Sequence, residues 1–318
     1  MKSFWIVLCL SVMVWADAHI FVYHRFNDTR HPSTNTSLEE LRKEFDYFKK
    51  HGYEVIPLER LVDALYNKEA IPDNWVVLTI DDNYKSFYEH GLALFKEYNY
   101  PFSLFVYVGA TEKKYGDFMS WEQLRETTKY GSLEFHSLNH PHMHELSDDA
   151  LTKDFEEGLA LFEKRLGFKP RYFSYPFGEF SPRIKAIASS FGFKAILNQN
   201  MGAVASFSDP LDLDRSALVG KSDLAGFLNY KALESEWIEP LMLSNNNTLT
   251  SLHVKVKMTA SKGGMYISGY GYEELTLSEG IFKTNLNKIA IKERTRIMIS
   301  VGNKISTKLL VKDNYGTK

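Results

Sequence analysis

The chain has 318 residues, 44% hydrophobic and 25% charged, with a formal net charge of −2. That length holds one large domain with a smaller appendage, and the balance is ordinary for a soluble globular protein. Near-neutral charge gives no electrostatic reason to expect nucleic acid or an anionic membrane as partner.

Lys2 precedes an apolar run over residues 4–15, followed by Ala16-Asp17-Ala18. A basic start, a short apolar core and a small-x-small site read as an export signal over residues 1–18, too short for a comfortable membrane span. Cleavage after Ala18 would leave His19 first. The expectation is an exported bacterial protein of the periplasm or cell surface, not integral to the membrane once processed. Cys9 is the single cysteine and lies inside this segment, so the mature chain has no thiol for a disulfide, a nucleophile or a metal.

From residue 20 to about 216, strand-like and helix-like segments alternate. Residues 20–23 are a short apolar strand ending at His24. Ser37 and Glu40 have capping-box spacing, and Leu38, Leu41, Phe45 and Phe48 recur at helical intervals. Residues 53–56 read as a strand, 58–66 as a helix, 76–80 as a buried strand and 84–98 as a helix. Residues 102–108 form an aromatic strand. Ser120 and Gln123 open a helix that Gly131 stops, and residues 133–135 lead into His136. A long amphipathic helix over 149–166 ends at Gly167. Strand 172–175, a helix starting near Pro182 and strand 193–197 complete the series.

Repeated strand-then-helix order implies a parallel sheet, either a closed barrel or a doubly wound sheet. His24, Asp81, Asp82, His136 and Tyr175 all fall at the carboxyl ends of predicted strands. Those ends converge on one face only in a barrel, which favours a distorted (β/α) barrel over residues 19–218. Residues 219–318 differ. A connecting stretch over 222–245 with some helix precedes short strands at 248–259, 264–270, 273–276, 287–292, 295–301 and 305–311. Asn245-Asn246-Asn247, Lys262-Gly263-Gly264 and Gly302-Asn303-Lys304 separate them. That pattern predicts a small sandwich-like or meander β-domain.

Asp81 and Asp82 end the apolar run Val76-Val77-Leu78-Thr79-Ile80. Two adjacent carboxylates at the end of a core strand repel each other and lose hydration unless something compensates them. His136 and His140, four residues apart, supply imidazoles suited to zinc or its neighbours. With Asp82 as third ligand, Asp81 is left free to act as a base. Alone, either segment reads as a surface turn; jointly, at strand ends, they read as a metal site.

Here the chain resembles a known family. Thr79-Ile80-Asp81-Asp82-Asn83 resembles the first motif of the polysaccharide deacetylases (NodB homology, carbohydrate esterase family 4). His136-Ser137-Leu138-Asn139-His140-Pro141 is similar to their second motif, and Tyr175-Pro176-Phe177-Gly178 to their third. The resemblance implies removal of acetyl groups from N-acetylglucosamine units of a polysaccharide, with a divalent metal, zinc first and cobalt or nickel as alternatives. It implies Asp81 as general base and Asp82, His136 and His140 as ligands. The backbone N–H of Phe177 would help hold the oxyanion.

Three features depart from the family pattern. Asn83 stands where a glycine is usual. Ser174 stands near the place of the arginine that orients the base; Arg171 or Arg215 is the candidate substitute, Arg215 preferred. The late histidine motif that supplies an acid is absent, since only His253 follows. The branch acting on poly-N-acetylglucosamine carries its acid histidine on the first strand, and Tyr23-His24 resembles that arrangement. His24 is therefore the candidate general acid. Tyr84, Tyr175 and Pro176 are candidate substrate contacts, with Tyr107 and Trp121 near the same loops. His142 and His144 read as loop residues. A catalytically weak or inactive glycan-binding protein, and an amidase for another N-acyl substrate, are the competing functions.

Overall fold

The computed structural model describes residues 17–244, 246–290 and 294–316, the side chains of 287–290 excepted. The predicted export signal lies outside them except for Asp17 and Ala18. Ala18 is buried and exchanges two backbone hydrogen bonds with Val204 (2.9 and 2.8 Å). The Asp17 carboxylate accepts from the Ala232 N–H at 2.6 Å. Cleavage after Ala18 would remove both contacts, whereas cleavage after Ala16 would keep them.

The first unit contains strands β1 (His19–Tyr23), β2 (Arg25–Phe26), β3 (Asn35–Thr36), β4 (Glu54–Val55), β5 (Trp75–Asp81), β6 (Ser103–Val106), β7 (Ser132–Phe135), β8 (Tyr172–Ser174), β9 (Ala195–Leu197) and β10 (Ser216–Ala217). Its helices are α1 (Leu38–Lys50), α2 (Leu58–Tyr66), α3 (Leu92–Tyr98), α4 (Val108–Glu112), α5 (Trp121–Thr127), α6 (Asp148–Leu166) and α7 (Pro182–Ser189). The main sheet is parallel throughout, in the order β10-β1-β5-β6-β7-β8-β9, with β4 beside the start of β5. It curls into an incomplete barrel. The segment leading into β10 touches β9, through Leu213 N–H to the Ile196 carbonyl and Asn198 N–H to the Leu213 carbonyl (both 2.9 Å), while β10 itself pairs with β1.

All seven residues of β5 are buried, as a strand covered on both faces requires. Alternate residues serve different cores. Val76, Leu78 and Ile80 pack with the buried faces of α1, α3, α5 and α6. Val77 packs on the other face with Phe105, Tyr172, Leu197 and α2. Helix α1 buries Leu41, Phe45 and Phe48 at the expected spacing, and Ser37 caps it by accepting from Glu40 N–H at 3.1 Å. The predicted strand over 102–108 ends at Val106 instead, and Val108 begins α4. The predicted helix over 84–98 begins later, as a π turn at Phe87–Gly91 leading into α3.

The remaining elements are α8 (Leu224–Asn229), β11 (Lys231–Ala232), β12 (Ser235–Glu239), β13 (Thr248–Val256), β14 (Lys262–Ile267), β15 (Gly271–Ser278), β16 (Ile281–Ala290), β17 (Arg294–Val301) and β18 (Lys304–Val311). They form a separate mixed sheet in the order β11-β18-β17-β14-β15-β16-β13-β12. It folds over one core of Leu252, Val254, Met265, Ile267, Phe282, Ile297 and Ile299. Strand β15 joins its halves, pairing with β14 over residues 271–276 and with β16 at 277–278. The predicted turn at Lys262-Gly263-Gly264 lies inside β14. A Cβ on Gly263 would meet the Phe282 ring at 2.5 Å and one on Gly264 the Tyr272 ring at 2.3 Å, so these glycines accommodate aromatic neighbours rather than turn the chain.

One buried acid ties α1 to the strand that precedes His24. Tyr23 Oη donates to Glu44 Oε2 at 2.8 Å, and burial pushes the Glu44 carboxyl up to about 8. A carboxyl raised in the folded state contributes stability in full below its ordinary value near 4.5, and that stability is lost as pH rises through about 8. Glu44→Gln keeps an acceptor for Tyr23 without the charge. Urea unfolding at pH 5 should be nearly unchanged, while at pH 9 the variant should exceed wild type by a few kcal/mol, on the order expected from linkage. Parallel pH profiles for the two proteins would contradict this.

Candidate metal and catalytic centre

Strand parity builds the site. The two-residue repeat places Thr79 with Asp81, Glu134 with His136, and Tyr172 with Ser174 on the face of the sheet opposite the outer helices. Asp81, His136, Ser174 and Arg215 are all fully or almost fully buried. They meet at the carboxyl ends of β5, β7 and β8 and at the entry to β10.

Arg215 grips Asp81 with both arms: Nη1 donates to Oδ1 and Nη2 to Oδ2, each at 2.8 Å. Its Nε donates to the Asn198 carbonyl at 2.8 Å, and Nη1 also reaches Thr79 Oγ1 at 3.1 Å. Such a planar, bidentate geometry fixes the direction of the carboxylate as well as its charge. Burial alone would raise the Asp81 pKa, but Arg215 and the facing His136 outweigh it and hold the carboxyl below its ordinary range. Ser174 Oγ donates to Asp81 Oδ1 at 3.3 Å.

Asp82 points into a different environment. Its Oδ1 lies 3.3 Å from His136 Nε2 and 3.0 Å from His140 Nε2. These separations match the edges of a tetrahedral coordination shell, about 3.3 Å for donors about 2.0–2.1 Å from a metal. Asp82 Oδ1 is buried without a directed hydrogen bond, which is the condition of an atom that a cation would satisfy. His136 Nδ1 lies 2.8 Å from the Ser174 carbonyl, to which it donates, leaving the Nε2 lone pair facing Asp82. The donor set of one carboxylate and two imidazoles fits a zinc-like ion with a position left open.

The loops carrying these groups use backbone that L-residues rarely adopt. Asp82, Asn83, Ser137, His140 and Phe177 all have positive φ, from 45° at Asn83 to 74° at Asp82. Asp and Asn tolerate this region; Phe does not, and strain of this kind concentrates at functional sites. Specific contacts hold it. Asn83 Oδ1 accepts from Tyr107 N–H at 2.7 Å and its Nδ2 donates to Thr111 at 2.9 Å. Buried Asp154 accepts from the N–H groups of Leu138 and Asn139, both at 3.0 Å. Gly109 N–H donates to the Leu138 carbonyl at 2.8 Å, and a Cβ there would lie 2.2 Å from that oxygen. Arg294 of β17 donates to the Phe177 carbonyl at 2.6 Å.

Against this geometry the comparisons with known proteins become specific. Residues 68–196 match the family model described as polysaccharide deacetylase. That segment is similar to polysaccharide deacetylases. It is 22% identical over 191 residues to the Bacillus subtilis protein YxkH, covering 58% of this chain and 66% of that one. It is 28% identical over 116 residues to the Escherichia coli poly-β-1,6-N-acetyl-D-glucosamine N-deacetylase, covering 32% of this chain and 17% of that protein. Among solved structures, the Streptococcus pyogenes deacetylase PplD in complex with acetate has a TM-score of 0.59 at 22% identity, over 64% of this chain and 93% of that one. That likeness is one of fold.

The curled sheet brings together Asp81, Asp82, His136, His140 and Arg215. His24 faces the same cluster: Asp82 and Asp81 act on it electrostatically, but burial dominates and lowers its pKa, and its Nδ1 is buried without a partner. Arg171 is elsewhere, half-exposed and paired with Glu59 of α2. The Tyr175 and Pro176 expectation fails. Tyr175 is fully buried, packed on Phe180 at 4.7 Å, and Pro176 is buried beneath the loop. Tyr175 follows inward-facing Ser174 and so points to the opposite face, into the core of the outer helices. Trp121 is also a packing residue, with its indole donating to Glu112 at 2.9 Å. Tyr84 stays at the rim, half-buried, with the Arg25 guanidinium 3.6 Å from its ring centre. Tyr107 is half-buried and lies 5.3 Å from the His140 ring. The sequence reading missed Ser174 as a bridge between Asp81 and His136, and Asn198 as the anchor of Arg215.

Arg215→Met strands a buried carboxylate and should destabilise the fold by about 3–5 kcal/mol. The double variant Arg215→Met/Asp81→Asn should recover much of that loss, because the uncompensated charge is gone. Urea unfolding of the four proteins in a cycle measures the coupling; strictly additive effects would contradict the pairing.

Proposed function

We propose that the chain is an exported, metal-dependent N-deacetylase acting on a polysaccharide of N-acetylglucosamine, of the poly-β-1,6-linked kind. The observation that carries this reading is the division of two adjacent buried acids: Asp81 bound by Arg215, and Asp82 facing two imidazoles. The similarity to the Escherichia coli enzyme supports the substrate class. No described helix is long and apolar enough to cross a membrane.

Asp82, His136 and His140 would hold the divalent ion, zinc by donor type. When bound, such an ion supplies Lewis-acid polarisation of the amide carbonyl and acidifies water. Asp81, ionised and fixed in direction by Arg215, takes a proton from the attacking water. The backbone N–H of Phe177 donates to the oxygen where negative charge develops. His24, buried at the same cluster, gives its proton to the leaving amine. Tyr84 lines the rim where a sugar ring would rest.

The test is acetate release by the zinc-loaded full chain from β-1,6-linked and β-1,4-linked N-acetylglucosamine oligomers and from peptidoglycan. Release should be fastest on the β-1,6 series, should stop on chelation and should return with zinc. His24→Asn should lower kcat by about 10²–10⁴-fold with metal content unchanged. No acetate from any of the three substrates would overturn the enzyme reading in favour of glycan binding alone.

A further inference from the structure

His142 and His144 are left unused by this chemistry, yet they converge on one carboxylate. Glu179 follows the third motif and is 3% exposed. His142 Nδ1 lies 2.7 Å and His144 Nε2 3.4 Å from the same oxygen, Glu179 Oε2. One donor atom from each of the three lies within 4.8 Å of the others, as in the Asp82, His136 and His140 group. The 2.7 Å contact of His142 is a charge-assisted hydrogen bond, whereas the 3.4 Å separation of His144 exceeds that range of about 2.7–2.9 Å. The longer separation matches the 3.3 and 3.0 Å separations of the first group. The contact with Glu179 is the only polar contact of the His144 ring among the described residues, since its Nδ1 is buried without a partner. The His142 side chain is 46% exposed, which gives an ion a route in from solvent.

We infer that His142, His144 and Glu179 form a second divalent-cation site of the zinc class, separate from the catalytic centre and joined to it through Phe177. The Phe177 ring stacks on His142 at 4.1 Å and meets the edge of His140 at 4.5 Å. Two loops therefore close on one ring: the loop after β7 supplies both histidines, and the turn after β8 supplies Glu179 and Phe177. A cation there links the two loops directly and limits movement of the backbone that carries the Phe177 N–H. Arg294 Nε, 3.6 Å from Glu179 Oε1, faces the other carboxylate oxygen and leaves Oε2 to the histidines.

The site is counted with zinc alone, by equilibrium dialysis of the full chain, and its geometry is read from the visible absorption of the cobalt form. Wild type should take up two equivalents; His142→Ala, which alters an exposed side chain, and His144→Ala should each take up one. In the Asp82→Ala background one equivalent should remain, and adding Glu179→Gln should remove it. Far-UV circular dichroism establishes that each variant is folded. A wild type that binds a single equivalent, lost with Asp82→Ala and kept by His142→Ala and His144→Ala, overturns the second site and leaves the first intact. A second equivalent that survives both histidine changes also overturns it.

Discussion

Everything at the mouth of the barrel depends on keeping two neighbouring carboxylates ionised inside protein. Side by side and buried, Asp81 and Asp82 would otherwise repel and take up a proton. The fold gives each a different surrounding: a guanidinium for Asp81, and for Asp82 two imidazoles placed to share a cation with it. Arg215, at the entry to β10, reaches Asp81 across the intervening strand β1. The flat guanidinium leaves Asp81 charged and aimed. The positive φ of Asp82 turns the next carboxylate away, toward His136 and His140. The curl brings the end of β9 to the segment leading into β10, where the Asn198 carbonyl anchors Arg215.

The site also depends on distant chain. Phe177 keeps an improbable backbone conformation, and its carbonyl is held by Arg294. Arg296 donates to the Gln199 carbonyl at 3.1 Å, Leu309 N–H to Asn200 at 2.8 Å and Asn314 N–H to the His144 carbonyl at 3.0 Å. Asp313 pairs with Arg183 at 2.9 Å. These polar contacts tie the β-rich unit to the loops after β7, β8 and β9. The unit thereby braces the loops around the candidate site rather than merely following them in the chain.

Much of this was legible in sequence where a repeat or a chemical need marked it. The bounds of α2, the cap of α1 and the buried run of β5 follow from periodicity and capping residues. Arg215 was legible only through the family resemblance, which expects an arginine beside Asp81 and left Arg171 and Arg215 as candidates. Tyr175 was misjudged because proximity to a strand end was taken as exposure; the two-residue alternation sends it into the core when Ser174 faces in. Nothing in sequence marks Ser137, His140 or Phe177 for positive φ, since each is a residue that usually avoids it. The contacts of Arg294 and Asp313 were equally invisible, because a pairing more than a hundred residues away leaves no local pattern. Gly263 and Gly264 mimicked a turn because glycine also serves where an aromatic ring crosses a strand.

The central claim is that two sequence-adjacent acids do separate work, one orienting a proton transfer and one holding an ion. The most direct measurement is the zinc affinity of the catalytic centre beside single-turnover acetate release, for Asp81→Asn and Asp82→Ala. The account predicts that Asp81→Asn retains the ion and loses turnover, while Asp82→Ala loses that ion. Equal loss of zinc from both variants would contradict it.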